Sequence, residues 1–465
     1  MIGKFFIYVV VIGVVTGLSR DRSFYMGFTP WPYAATEAAV EWVYTNVAEN
    51  GDIISHHIEE GVPWPEAYEG TSFSPGFRTE INGRVERRAS GQRVVLSVNP
   101  INIDRDRLAP YRGVTEAEDL PAPWNSRALN SNEVKTAYLN YTRRMVEMFD
   151  PDYVTIGIEV NLLVRNKPEL WPQYVELHRH VYAELKRDYP DLPISASFFC
   201  VPFFPEWSGG DDREAQEQAL TDLEPYMDYV AFSVHPFMSA LLCELFPSDY
   251  FSRLFSLTNK PIAVSESSYP AEAWQTMSDP VMHFNGTQAK QRSFVESMLR
   301  AADNWEAEYV VWWTIRDFDR LWENAMGKSE IGLIWRDTGL YGEQGAGRTA
   351  LTTWREWYAK DRVTRQPTHV REESEPLFFS ARANRSDGSV DIRLDSRRGS
   401  SPVIDVYDMR GTRVRRLLNG ESIVGSHTLS WHGRDDQGSL MPSAVYLIKC
   451  RTDYAEYSVK ARLVR

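Results

Sequence analysis

The sequence predicts an α/β fold, a (β/α)8 TIM barrel followed by a small all-β sandwich, and three observations predict it. Eight short apolar runs rich in β-branched and aromatic residues recur between residues 24 and 313, with helical segments between most of them. Those runs are nearly continuous rather than alternating, as strands of a parallel sheet buried on both faces are. From about Arg362 the rhythm gives way to short strands separated by Gly, Asn and Asp turns.

The eight predicted strands are Phe24–Phe28, Ile53–Ser55, Arg93–Val98, Tyr153–Ile158, Ile194–Phe199, Tyr229–Val234, Ile262–Ser265 and Tyr309–Trp313. Glu37–Glu49 is the first predicted helix, with Ala38, Val40, Trp42, Val43 and Val47 available to face the sheet. Glu133–Phe149 runs into Asp150-Pro151, and a proline there stops a helix. Trp171–Asp188 ends just before Pro190, Thr287–Asn304 carries an apolar stripe from Phe294 to Ala302, and Thr349–Tyr358 closes the barrel. Helical patterning is thinner at Pro63–Glu69 and Ser248–Leu257. The stretch 99–132, broken by Pro100, Pro110, Pro121 and Pro123, reads as loops at the barrel mouth. No glycine-rich phosphate loop follows the first strand, which argues against a dinucleotide fold. In the tail, strands are expected at Val390–Leu394, Val403–Tyr407, Arg413–Leu418, His427–Trp431, Ala444–Cys450 and Tyr457–Leu463, a sandwich pattern.

Four segments follow: a signal peptide over 1–19, the barrel over 20–361, a linker over 362–376 and the sandwich over 377–465. Lys4 and the apolar run Phe5 to Val15 suit a secretory signal, and the run is shorter than the roughly 20 residues a membrane span needs. The expected location is therefore extracellular, at the cell surface or periplasmic. The formal net charge is −13. The tail from residue 377 holds 15 Lys or Arg and 10 Asp or Glu, +5, which leaves −18 on the rest. A main domain this acidic repels nucleic acid and suits a neutral substrate. Of the three cysteines, Cys450 lies in an apolar run as a buried thiol, while Cys200 and Cys243 sit near one barrel face, as thiols or as a pair formed after export.

Two carboxylates stand out. Glu159 in Ile156-Gly157-Ile158-Glu159-Val160-Asn161 and Glu266 in Val264-Ser265-Glu266-Ser267 each end an apolar strand, the fourth and the seventh. In a β/α barrel those ends turn toward the active-site mouth. Paired carboxyl groups about 5–5.5 Å apart are the equipment of a retaining glycosidase, one protonated to release the leaving oxygen and one ionised to attack. Two such glutamates in complementary places outweigh the bland alternative of loop residues. Substrate-binding candidates on the same face are Asn161, His235 after strand six, His57 after strand two, and Tyr269, whose phenol is placed to steer Glu266. Trp312 and Trp313 end strand eight, where alternation points one to the mouth and one to the helices. Trp31, Trp64, Trp124 and Trp322, on expected mouth loops, are either sugar platforms or packing residues. No cofactor and no metal are called for, and the partner is a polysaccharide or oligosaccharide.

These segments resemble the clan-A retaining barrel glycosidases, whose acid/base follows strand four and whose nucleophile follows strand seven. Within that clan they resemble the arabinogalactan endo-β-1,4-galactanases. Glu159-Val160-Asn161 with the later Leu170-Trp171-Pro172 is similar to the family's acid/base segment, and Glu266-Ser267-Ser268-Tyr269-Pro270 to its nucleophile segment. The resemblance covers about residues 24–358 and implies Glu159 as acid/base, Glu266 as nucleophile, and β-linked glycan, β-1,4-galactan among them, as substrate. Two departures stand against it. Ile158 occupies the place of an asparagine that contacts the sugar 2-hydroxyl, and His235-Pro236 replaces a tyrosine-containing segment. The tail resembles the immunoglobulin-like domain of the flagellar hook-capping protein through Val406-Tyr407-Asp408-Met409-Arg410-Gly411, Trp431-His432-Gly433-Arg434-Asp435-Asp436-Gln437-Gly438 and Pro442-Ser443-Ala444-Val445-Tyr446. That likeness implies a surface or secretion-system contact, or a spacer. Two rivals remain. A non-catalytic carbohydrate-binding barrel would keep the aromatics, and a metal-dependent amidohydrolase-like barrel would need histidines on the first strand, where Phe24–Phe28 has none.

Overall fold

In the computed structural model, eight strands close into a parallel barrel. The structure describes residues 21–244, 246–277, 279, 281–363, 378–384, 388–408, 411–452 and 456–463. The expected signal 1–19 and residues 364–376 of the expected linker lie outside the described residues. The chain divides into two compact units, Met1–Pro247 with Lys260–Arg365, and Ser248–Asn259 with Gln366–Arg465. Among the described residues no helix is long and apolar enough to cross a membrane.

The barrel strands are β1 (Tyr25–Phe28), β2 (Ile53–Ile58), β3 (Arg93–Val98), β4 (Tyr153–Thr155), β5 (two pieces, Ile194–Ser195 and Ser197–Phe199), β6 (Val230–Val234), β7 (Ile262–Ser267) and β8 (Tyr309–Trp312). Each pairs in parallel with its neighbours, β8 returns to β1, and the two pieces of β5 pair with β4 and β6 respectively. The interior follows from alternation. Ile53, Val95, Tyr153, Tyr229, Ala231, Ala263, Tyr309 and Val311 form one apolar cluster that fills the barrel floor. Two residues further along each strand, the same inward face carries Ser55, Ser97, Thr155 and Ser233, all buried. Another step reaches His57, Asn99 and His235 at the C-terminal mouth. The wall therefore grades from apolar to hydroxyl to ionisable along its axis.

Outside the strands lie α1 (Glu37–Asn50), α2 (Pro75–Glu86), α3 (Asn132–Phe149), α4 (Trp171–Asp188), α5 (Arg213–Leu223), α7 (Gln288–Asn304) and α8 (Thr349–Tyr358), while α6 (Tyr250–Phe255) falls in the second unit. Side chains cap the starts of α1, α3 and α7: Thr36, Ser131 and Thr287 each accept a backbone N–H from the first turn. α3 ends at Asp150 in the left-handed region (φ 45°), directly before Pro151. α2 and α5 were absent from the sequence prediction. α2 buries only Phe77 and Ile81, too few apolar residues for a periodic stripe to show. Gln216 takes a buried place on α5 that the pattern reads as polar surface.

In the tail, β9 (Phe378–Ala383), β10 (Val390–Ser400) and β13 (Ile423–Trp431) form a three-stranded antiparallel sheet. β11 (Val403–Tyr407), β12 (Arg413–Asn419), β14 (Val445–Arg451) and β15 (Glu456–Arg462) form a second sheet in the order β12-β11-β14-β15. Val390, Ile392, Leu394, Ile404, Val406, Trp431, Tyr446, Ile448 and Cys450 belong to its buried core. No disulfide joins Cys200 to Cys243, and Cys450 is a buried thiol.

Candidate active site

Glu159 and Glu266 meet at the barrel mouth. One carboxylate oxygen of each, together with a ring nitrogen of His235, lie within 4.8 Å of one another. Their side chains are 18% and 12% exposed, so both line a recess rather than the open surface.

A bulge aims Glu266. Phe232 of β6 pairs with Val264 of β7, but the next residue, Ser233, pairs with Glu266, so Ser265 is skipped. Counted from the inward Ala263, simple alternation would turn Glu266 toward the helices. The extra residue returns it to the barrel interior opposite Ser233, which is what a bulge does to the side chains beyond it. Ser233 then donates its hydroxyl to Glu159 Oε1 at 2.6 Å.

A strained turn aims Glu159. Its φ is +49°, in the left-handed region that side-chain-bearing residues rarely adopt. The turn is held from both sides, because the Glu159 N–H donates to Ser197 Oγ at 2.9 Å and the Ile158 N–H to Asn99 Oδ1 at 3.3 Å. Gly157 makes room: a Cβ there would lie 2.0 Å from the Tyr174 hydroxyl of α4. Arg105, also at positive φ (+53°), reaches Glu159 Oε2 at 3.5 Å. Strained residues of this kind persist where surrounding structure over-determines them, and they cluster at functional sites.

His57 links the two carboxylates to a further ion pair. Its Nδ1 lies 3.3 Å from Glu266 Oε1 and its Nε2 3.1 Å from Glu59 Oε2. Glu59 in turn takes Arg105 at 2.5 Å and the Asn99 amide at 3.0 Å. Burial pushes the Glu159 carboxyl up, with Arg105 and the Ser233 hydrogen bond opposing. Burial also raises Glu266; His57 opposes, Glu159 and Glu59 add to the rise, and the outcome is about 7. Burial would raise Glu59 as well, but Arg105 and then the His57 hydrogen bond overcome it and hold it at about 2. His235 is lowered to about 3 by burial and by the charge of His57, so it is neutral, with Nδ1 2.7 Å from Ser268 Oγ.

Aromatics continue from this centre. His235 meets the Trp335 ring edge-on at 4.6 Å, Trp335 meets Trp313 at 6.4 Å, and Trp313 meets Trp31 at 5.0 Å. The indole nitrogens of Trp31 and Trp313 are buried without a hydrogen-bond partner among the described residues.

Of the residues singled out in the sequence, Glu159, Glu266, His57 and His235 come together, with Trp313 and Trp31 alongside. Five others spend their polar groups on structural partners. Asn161 is fully buried, its amide tied to Phe199 and Gln216. Tyr269 gives its phenolic proton to the Cys243 carbonyl at 2.8 Å instead of to Glu266. Trp312 faces the helices, as alternation requires of one of the pair, and donates to the Thr338 carbonyl. Trp64 is buried, stacked on Trp124 and bonded to the Ala109 carbonyl. Trp322 is likewise structural, its indole on the Ser329 carbonyl. The sequence reading missed Glu59, Asn99, Arg105, Ser233 and Trp335. Glu59 and Asn99 directly follow β2 and β3, so the strand-end rule that found the two glutamates could have found them. Nothing in the sequence separates Arg105 from the other arginines.

Residues 380–456 match the family model of the FlgD Ig-like domain. No curated protein matches the chain. Among solved structures, the chain is similar to the GH5_18 protein from Streptomyces cattleya in complex with Manβ1-4GlcNAc, at 14% identity and a TM-score of 0.51, over 74% of this chain and 83% of that one. The exo-β-1,4-mannosidase from Opitutaceae bacterium strain TAV5 is similar at 12% identity and a TM-score of 0.50, over 95% of this chain and 92% of that one. The FMN-binding β-glucuronidase from Facaelibacterium prausnitzii L2-6 aligns at 10% identity and a TM-score of 0.43 over 97% of this chain. The chain spans only 57% of the length of that glucuronidase. The first two likenesses establish the fold: the chain is a TIM-type (β/α)8 barrel, of the architecture seen in solved glycoside hydrolases, continued by a segment of the FlgD Ig-like domain type.

Proposed function

We propose that the barrel is a retaining glycoside hydrolase acting on β-linked glycans. The observation that carries this reading is the pair of carboxylate oxygens, Glu159 and Glu266, within 4.8 Å of one another at the barrel mouth. That spacing suits direct attack on the anomeric carbon better than the wider gap that leaves room for a water. Glu159, raised by burial, donates its proton to the leaving oxygen. Glu266 attacks the anomeric carbon and forms a glycosyl ester. Water then releases the sugar while Glu159 takes the water's proton back. Arg105 and His57 are both engaged by carboxylates, which favours a neutral sugar over a uronic acid. The partly exposed rings of Trp31 and Trp313 are surfaces suited to stacking on a sugar face. The resemblance of the segment around Glu266 to the galactanases supports β-1,4-galactan among the β-linked glycans to be tried, and the pattern of residues 1–19 supports a location outside the cytoplasm.

A screen of plant and algal polysaccharides with product analysis identifies the substrate, and substitutions then test the roles. Glu266→Ala should nearly abolish turnover, with azide restoring it to give a product of inverted configuration. Glu159→Ala should slow substrates with poor leaving groups by about 10²–10⁴-fold and spare activated aryl glycosides. Azide with that variant should give retained configuration. Unchanged hydrolysis in both variants, or a wild type that binds glycans and cleaves none, would overturn the reading.

A further inference from the structure

Both nitrogens of the His57 ring face carboxylate oxygens at hydrogen-bond distance, Nδ1 toward Glu266 and Nε2 toward Glu59. A neutral imidazole carries one N–H and one lone pair, so it could satisfy one carboxylate only by aiming a lone pair at the other. With both carboxyl groups ionised, only the imidazolium satisfies both. Glu59 is kept anionic by its own partners, Arg105 and Asn99, on its other oxygen. The ring cannot swing away easily, for it sits on the inward face of β2, where His57 pairs in register with Ser97 of β3. Its neighbour His56 points the opposite way and packs on Phe149.

We propose that His57 is a positioning residue for Glu266: an imidazolium clamped by Glu59 that fixes the carboxylate's orientation and keeps it in the charged, attacking form. The inference rests on Glu266 being the nucleophile. The chain Arg105–Glu59–His57–Glu266 alternates in charge, and because Arg105 also reaches Glu159, one network touches both glutamates. The groups facing the ring are Glu266, Glu59 and Glu60, with Arg84 donating to the His57 carbonyl at 3.4 Å and neutral His235 nearby. Burial alone would lower the imidazole, but Glu266 and then Glu59 raise it to about 9, so it stays protonated across neutral pH. Glu266 would climb beyond about 7 without this cation.

The test combines a readout that needs no substrate with one that does. In full-length protein with labelled histidine, nitrogen-15 NMR should show both His57 ring nitrogens protonated at pH 7, and Glu59→Gln should bring the ring's titration down by at least one pH unit. His57→Gln keeps a donor but removes the charge. It should move the acidic limb of the kcat/KM profile up by about one to three pH units, and cut kcat about 10–1,000-fold below that limb with KM little changed. A neutral His57 at pH 7 overturns the proposal. So does a His57→Gln variant that loses only thermal stability and keeps the wild-type pH profile. If instead azide fails to rescue Glu266→Ala while NMR still shows the imidazolium, the clamp stands and the nucleophile assignment falls.

Discussion

Gly157 lets α4 press against the turn that presents Glu159, and that contact can be measured. A Cβ at 157 would lie 2.0 Å from the Tyr174 hydroxyl, 2.8 Å from Val160 Cγ1 and 3.2 Å from Tyr174 Cζ. Tyr174 is fully buried and stacked on Trp171 at 5.6 Å, so it has little room to retreat. Gly157→Ala should therefore cost about 1–3 kcal/mol, the usual range for an overpacked core. Tyr174→Phe removes the closest atom, whose own hydrogen bond to His178 is long at 3.5 Å, and should cost at most about 1 kcal/mol. In the double variant the worst contact is gone and only a methyl and a ring carbon must shift. The double variant should then be more stable than the sum of the singles by about 1–2 kcal/mol. Urea denaturation of the four proteins gives this coupling directly. Additivity within about 0.5 kcal/mol would refute the claim that the hydroxyl is what forbids a side chain at 157.

His56 gives a pH-dependent prediction. Its ring is fully buried, with no hydrogen-bond partner for either nitrogen among the described residues, and burial lowers it to about 3. The unfolded chain takes up that proton near 6.5, so stability is full above pH 6.5 and falls as the pH drops toward 3, by about 3 kcal/mol at pH 4. His56→Leu should flatten this slope in denaturant melts between pH 4 and 7 and leave stability at pH 7 equal or higher; an unchanged slope would exclude His56 as its source. In the tail, Trp431 packs on Tyr446 at 4.8 Å and bonds to the Arg434 carbonyl. Trp431→Ala should remove about 3–5 kcal/mol from that unit, seen as faster hydrogen exchange across 390–450 in the full-length chain.

The barrel was legible because its strands are buried on both faces and so read as unbroken apolar runs, and because Pro151 and Pro190 mark helix ends. The two glutamates were legible because they end such runs. What stayed hidden depended on parity. Counting from Ala263 sends Glu266 outward, and only the pairing of Ser233 with Glu266 past Ser265 shows why it faces in. The predicted strand Ile53–Ser55 stopped short of His57, which β2 carries as a wall residue rather than a loop residue. Trp312 and Trp313 were known to diverge, but not which way. Val311 in the barrel floor decides it, sending Trp313 inward. Asn161, Tyr269 and Trp64 were drawn to the site by chemistry alone, and each spends its polar group on a buried carbonyl or amide instead.

Ile158 is where sequence comparison and structure diverge most usefully. Read in line with the clan, it replaces an amide that touches the sugar with an apolar group that cannot. In the fold, Ile158 is only 2% exposed, and its N–H is bound by Asn99. Asn99 enters from β3 and gives its own amide protons to Glu59, so the amide function at this corner serves the charged network and not the residue before Glu159. The positive φ of Glu159 completes that arrangement: with Ile158 buried and its N–H tied down, the left-handed turn carries the next side chain to Ser233 and Arg105. The departure at 158 thus marks a different way of aiming the same carboxylate, built from Asn99, Gly157 and a left-handed turn.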